Sequence, residues 1–296
     1  MSDTRTVERP VLDEAEWNAR EQRYVERAEV LLGPHTARAR RGEAHPVWDF
    51  LFSYYSLRPR QLRRWHPGYG VALGGVSADR FLDRTGYVRR DSIVTVARAH
   101  LLTRLDTVAF IAELLRATSD RPAKLNCFGL HEWAMVYRTT DTRHGQVPLR
   151  LGAAGTDAVV ESTPLRCSHF DAYRFFTEHA VPRNAEELSR RTQVANEQPG
   201  CVHANMDLYK WAFKLGPLVA SELVMDCLDL AVDARELDMR ASPYDLAAYG
   251  FAPIAIETPA GRAEYVRAQH SLAERAAPLR AALIGWCGEL LEAAAG

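Results

Sequence analysis

Three of the five cysteines in this chain have a histidine close behind them: Cys127 with His131, Cys167 with His169, and Cys201 with His203. With ten histidines in 296 residues, three such pairs are more than random spacing supplies. Thiolate and imidazole are ligands that zinc prefers, and imidazole beside a carboxylate is the usual acid–base pair near neutral pH. Cys127 and His131 are four apart, which places them on one face of a helix; Cys167 and His169 are two apart, which places them on one face of a strand. An acid and then a Tyr-plus-base dipeptide follow each pair: Glu132 with Tyr137-Arg138, Asp171 with Tyr173-Arg174, and Asp207 with Tyr209-Lys210. We expect three walls of one polar pocket. Two chemistries stay open. Cys127, His131, Cys167, His169, Cys201 and His203 are candidate ligands for zinc or iron. Alternatively His131, His169 and His203 work without metal as acid, base or hydrogen-bonding groups, with Glu132, Asp171 and Asp207 as carboxylates. Cys201 follows Gly200 at an expected helix start, where free amides lower a thiol's pKa, so it is the one thiol expected to be reactive. Cys227 and Cys287 lie on or beside apolar helix faces and are read as core. His131-Glu132-Trp133-Ala134-Met135 has Met where the metalloprotease pattern needs a second His, which excludes that reading.

A second concentration is basic and aromatic. Arg38, Arg40, Arg41, Arg58, Arg60, Arg63 and Arg64 interleave with Trp48, Phe50, Phe52, Tyr54, Tyr55, Trp65 and Tyr69, and no acid falls between Arg58 and Tyr69. Arginines neutralise phosphates and aromatic faces stack on bases, so the mixture suits a nucleic-acid surface; it also suits a helix with a buried aromatic face. His66-Pro67-Gly68-Tyr69-Gly70 reads as a turn.

These groups need elements to position them. The composition, 47% hydrophobic and 25% charged with a net charge of −1, excludes disorder, collagen and coiled coil and gives no global attraction to nucleic acid. No apolar run is long enough to span a membrane, and Met1-Ser2-Asp3-Thr4-Arg5 carries no secretory segment, so a cytoplasmic protein with reduced thiols and no membrane partner is expected. Helices are expected over Leu12–Leu32, closed by Gly33-Pro34, then over Pro46–Ser56, Arg60–Trp65, Arg98–Thr118, Phe128–Tyr137 and Pro217–Met239, and from Arg262 onward with a bend at Pro278. Two short strands are expected between Val71 and Ala97, the better one Tyr87–Val96, and a strand pair over Val147–Leu151 and Ala158–Arg166. Thr177–Gly200 is irregular. The sum is an α+β fold: a predominantly helical single domain over 1–296 with a small antiparallel sheet, in which residues 1–45 form an N-terminal helical segment packing on the core.

Four phrases carry a resemblance: Trp48-Asp49-Phe50-Leu51-Phe52-Ser53-Tyr54-Tyr55-Ser56, Cys127-Phe128-Gly129-Leu130-His131-Glu132-Trp133-Ala134, Arg166-Cys167-Ser168-His169-Phe170-Asp171, and Gly200-Cys201-Val202-His203-Ala204-Asn205-Met206-Asp207. With them most of the chain resembles a bacterial group that carries the name 3-methyladenine DNA glycosylase. The resemblance implies a hydrolase of DNA repair that cleaves the N-glycosidic bond of an alkylated purine, binds DNA through a local basic-aromatic patch and needs no cofactor. The chain departs from helix-hairpin-helix glycosylases, since Gly70 is followed by Val71-Ala72-Leu73-Gly74-Gly75, a poor helix start, and no catalytic Asp carries over. Such chemistry needs an aromatic cage for a cationic base and one carboxylate near the sugar. Asp171 is the first choice for that carboxylate and Asp207 the second; Trp133, Tyr137, Tyr173 and Trp211 are candidate stacking residues, and Arg63, Arg64 and Arg174 candidate phosphate contacts. The alternatives are a Cys/His metal-dependent enzyme acting on a small molecule and a non-catalytic nucleic-acid-binding module.

Overall fold

The computed structural model describes residues 10–140 and 146–296; Met1-Ser2-Asp3-Thr4-Arg5, on which the expectation about secretion rests, lies outside them. Helix α1 (Glu14–Arg40) is capped by the Asp13 carboxylate on the Glu16 amide, with Glu14 and Glu16 in its first turn and Arg38 and Arg40 in its last, as the helix dipole favours. Its buried stripe is Trp17, Tyr24, Ala28 and Leu32. The stop expected at Gly33-Pro34 does not occur. Pro34 forfeits the hydrogen bond to the carbonyl four residues back, at Val30, whose side chain faces solvent, and the helix continues for another turn and a half. Arg27 ties α1 to Asp226 and Asp229 of a later helix.

The sheet has four short strands in the order β1-β2-β4-β3: Val11–Leu12, Ala72–Gly74, Tyr87–Arg90 and Ile93–Val96 for β1 to β4. Tyr87–Val96, expected as one strand, is a hairpin turning at Asp91, which has φ 50°. β2 pairs antiparallel with β4, but β1 pairs parallel with β2 (Val11↔Ala72, Leu12↔Leu73), so the sheet is mixed rather than antiparallel. The remaining helices begin with the single turns α2 (Phe50–Ser53) and α3 (Pro59–Leu62). They continue with α4 (Arg98–Leu102), α5 (Leu105–Ser119), α6 (Leu130–Ala134), α7 (Gly152–Ser162), α8 (Phe170–Tyr173) and α9 (Gln193–Asn196), and end with α10 (Val202–Leu215), α11 (Ser221–Arg240) and α12 (Pro259–Ala295).

α7 stands where a strand pair was expected. Val159 and Val160 suggest a strand locally, yet Thr156, Val159 and Val160 are buried at helical spacing, and tertiary burial decides. Only isolated bridges, Leu149↔Tyr244 and Leu165↔Asn184, remain of that pair. α12 runs through Pro278 with Tyr265, Gln269, Leu272, Ala276, Leu283, Cys287 and Leu290 buried. The hydrophobic core extends from Leu12 to Leu290, with α10, α11, α12 and α5 packed around it. Among the described residues no helix is long and apolar enough to cross a membrane.

Candidate active site

Helix α10 supplies three polar groups on one buried face, His203, Asp207 and Lys210, at the i, i+4, i+7 spacing of a helix stripe. The start of α10 is held from α12: Gln269 donates to the Gly200 carbonyl at 2.6 Å, and Arg280 donates to the Asn205 amide oxygen. α11 contributes Arg235 and Asp238, and α6 contributes His131 and Glu132. α6 is framed by two non-glycine residues in the left-handed region, Phe128 (φ 52°) and Arg138 (φ 51°), a costly backbone that the surrounding packing imposes.

These groups form two joined hubs. In the first, His131 Nε2 lies 2.6 Å from Asp238 Oδ1, and His203 Nε2 lies 3.8 Å from Asp238 Oδ2. Arg235 Nη1 donates to Asp238 Oδ2 at 2.8 Å and to Glu132 Oε1 at 3.1 Å. One ligating atom each from His131, Glu132, His203 and Asp238 all fall within 4.8 Å of one another, and all four residues are buried. In the second hub Asp207 accepts from Lys210 Nζ at 2.6 Å and from the Tyr55 hydroxyl at 2.6 Å, and lies 3.3 Å from His169 Nε2. Lys210 also donates to Asp171 at 2.9 Å, and Arg190 donates to the other Asp171 oxygen at 2.8 Å. Glu197 Oε1 is 3.5 Å from His169 Nε2. The His203 ring joins the hubs, 4.3 Å edge-on from His131 and stacked 5.4 Å from His169.

The environment sorts the protonation states. Burial pushes His131 down, but the Asp238 carboxylate holds it well above the ordinary imidazole value. His203 is lowered to about 3 by burial and by the charge on His131, so it is neutral at pH 7 and free to accept or ligate. Burial works to raise Asp207 and Asp238; their cationic partners, Lys210 and His169 for one and His131 for the other, hold both below the usual carboxylate range. Glu132 is raised by burial and by the neighbouring Asp238, which strengthens it as a base.

Glu132 opens the first hub to a cavity of about 610 Å3, whose walls include His45, Asp49, Phe50, Tyr54, Arg235 and Tyr249. Phe50 and Tyr54 stack at 4.7 Å on one wall. Phe50, Tyr54 and Glu132 also line a small inner pocket that reaches His169, Asp171, His203 and Asp207. The cavity has the size and the mixed aromatic and polar lining of a small-molecule site.

All six proposed acid–base residues, His131, Glu132, His169, Asp171, His203 and Asp207, therefore meet at this site. The proposed thiol ligands do not join them. Cys127, Cys167 and Cys201 line another small pocket, which His131 and His203 also line, but none of the three thiols is in the converging set. Cys127 reaches His131 Nδ1 at 3.7 Å, from a turn rather than from a helix. Cys167 and His169 sit in the chain entering α8, not on a strand. Cys201 does open α10, but burial raises its thiol and outweighs the helix amides, which corrects the expectation of reactivity.

The proposed stacking residues turn inward. Trp133 is fully buried and donates to the Ala241 carbonyl, Tyr137 is bound to Glu161, Tyr173 packs on Phe176, and Trp211 packs on Phe110. Their large apolar surface gains more from the core than a wet site would return. Of the arginines, Arg174 is at the site, 3.4 Å from Asp171 and donating to the Tyr54 hydroxyl; Arg63 pairs with Glu29, and Arg64 lines another cavity. In the basic-aromatic tract Trp65 is buried and Phe50, Phe52, Tyr55 and Tyr69 pack on the core, while Arg38 pairs with Asp49 and Arg41 with Glu43.

Sequence reasoning missed Arg235, Asp238, Glu197, Arg190 and the cavity residues His45, Asp49 and Tyr249. A signal existed for two of them: Arg235 and Asp238 follow Leu228 and Ala231 at steps of three and four, placing charge along the face beside the apolar stripe of Leu223, Cys227, Leu230, Ala234 and Leu237. Comparison of the chain with models of protein families, with curated proteins and with solved structures finds no match.

Proposed function

We propose that the protein is a metal-dependent hydrolase acting on a small molecule. The observation that carries this reading is the convergence of His131, Glu132, His203 and Asp238 within 4.8 Å at the foot of the cavity. Two imidazoles and a carboxylate are a recurrent catalytic zinc set and also suit iron(II) with open positions. His131, His203 and Asp238 would hold the ion. Glu132, which reaches the cavity, would take a proton from a metal-bound water as general base. Arg235 orients both carboxylates. Charge balance supports the assignment. Protonated His131 and Arg235 offset Glu132 and Asp238; a divalent ion would take the place of the His131 proton and leave one surplus positive charge, which an anionic ligand from the cavity would balance.

The test is elemental analysis of protein purified without a histidine tag. About one equivalent of zinc or iron is expected, lost in His203→Ala and Asp238→Asn. Protein that carries no metal and gains no thermal stability from added Zn2+ or Fe2+ overturns the reading.

A second reading keeps the N-glycosidic chemistry that the sequence resemblance implies, and the Tyr54 ring near Glu132 favours it: Phe50 is covered by Tyr54 and by Arg235, so a planar cationic base would stack on the outer face of Tyr54 with a carboxylate in reach. Here metal-stripped protein would still release base from methylated duplex DNA. No release by either form removes this reading.

A further inference from the structure

At the opposite end of α11 from Asp238, the first residues of that helix close a second cavity of about 230 Å3, lined among others by Gln61, Arg64, His66, Arg84, Thr85 and Ser221. Ser221 and Asp238 are seventeen residues apart on one helix, about 25 Å at 1.5 Å per residue. The cavity shares no lining residue with the candidate active site. No carboxylate lines it. Arg84 sits half-buried on its wall; one arm donates to the Trp65 carbonyl at 2.6 Å, and the other donates to Glu21 at 3.4 Å. Among the described residues the Arg64 guanidinium has no hydrogen bond or ion pair, and its side chain is exposed at the cavity. The neighbouring acids lie outside the lining: Glu21 is shared between Arg80 and Arg84, and Glu222 accepts from Trp65 Nε1 at 2.7 Å. His66 Nδ1 meets the Tyr87 hydroxyl at 2.9 Å, and burial, with the charges of Arg84 and Arg64 beside it, lowers the ring to about 3, so it is neutral. Two guanidiniums, the Thr85 hydroxyl and the Gln61 amide thus line a concavity with no carboxylate on its wall, and of the two guanidiniums only Arg84 has an acidic partner among the described residues, Glu21.

We propose that this cavity binds the phosphate group of a small phosphorylated molecule. Guanidiniums in pairs suit a phosphate, which accepts several charge-assisted hydrogen bonds at once. The acid-free stretch from Arg58 to Tyr69 finds a use here that the main site does not give it: Gln61, Arg64 and His66 all come from it. The inference is independent of the reaction carried out at the metal centre.

Isothermal titration of the full chain with inorganic phosphate, with glycerol 3-phosphate and with a short DNA duplex decides it. Both small probes are expected to bind saturably, each about tenfold more weakly to Arg64→Gln and to Arg84→Gln, as loss of a charge-assisted bond predicts, and unchanged in His203→Ala. Arg64 is exposed, so its variant keeps the test decisive even where the Arg84 variant misfolds. Absence of binding by both small probes, binding by the duplex alone, or binding indifferent to Arg64→Gln but lost in His203→Ala overturns the proposal; the last would place phosphate on the metal centre.

Discussion

Asp238 is the residue on which the first hub depends. It faces His131 and Arg235 within 2.8 Å and reaches toward His203, with no access to water. Removing it leaves the buried His131 without its carboxylate partner and Arg235 with Glu132 alone. Asp238→Ala should cost about 3–5 kcal/mol, as for other broken buried pairs, read as a fall in the denaturant midpoint; a loss under ~1 kcal/mol would mean the charges there are hydrated. At this scale the sequence was informative about residue type. Histidines and acids recurring behind cysteines do mark the polar centre, but the cysteines themselves do not share it. A thiol is small and apolar enough to be left against the core while the imidazole beside it reaches on to a carboxylate, as His131 does from Cys127 to Asp238. The buried tryptophans and tyrosines misled for a related reason: a ring able to stack on a base is equally able to fill a core, and spacing does not distinguish the two.

At the scale of elements, the site depends on how helix starts are anchored. α12 begins at Thr258, whose hydroxyl accepts from the Gly261 amide at 3.0 Å, and Gly261 packs directly on the Ala255 carbonyl, with no room for a methyl group. Gly261→Ala should force the first turn of α12 off that carbonyl and destabilise the protein by about 1–3 kcal/mol, the usual cost of overpacking. Tyr265 and Gln269, which lie against the thiol pocket and the start of α10, would move with it. A thermal midpoint equal to that of the parent would refute the anchoring. The long amphipathic helices were legible because each repeats its apolar stripe several times. The short ones around the site were not. α6, α8 and α9 are only four or five residues long, too short to show a period, and are fixed by the polar groups they carry into the core, His131 and Glu132, Asp171, and Gln193.

For the whole molecule, the second hub sets the behaviour in acid. Burial opposes ionisation of Asp207 and Asp171, yet Lys210 and His169 hold both carboxyls below their ordinary values. Their folded pKa values are therefore lower than the unfolded value of about 3.9. The stabilisation is complete above about pH 5 and is lost as the pH falls through the unfolded value toward the folded ones. Lys210→Met removes the shared cation, so its acid-unfolding midpoint, followed by circular dichroism, should move to higher pH; an unchanged midpoint would mean that Lys210 does not hold these carboxylates ionised. The sequence by itself determined the predominantly helical α+β class, the long helices and the polar residues of the middle third, since composition and periodicity are local properties that the chain carries in any conformation. Tertiary structure alone decided which of those groups meet. Asp238 reaches His131 across 107 positions of sequence and Tyr55 reaches Asp207 across 152. Contacts of that range are set by helix packing, and no spacing rule along the chain encodes them.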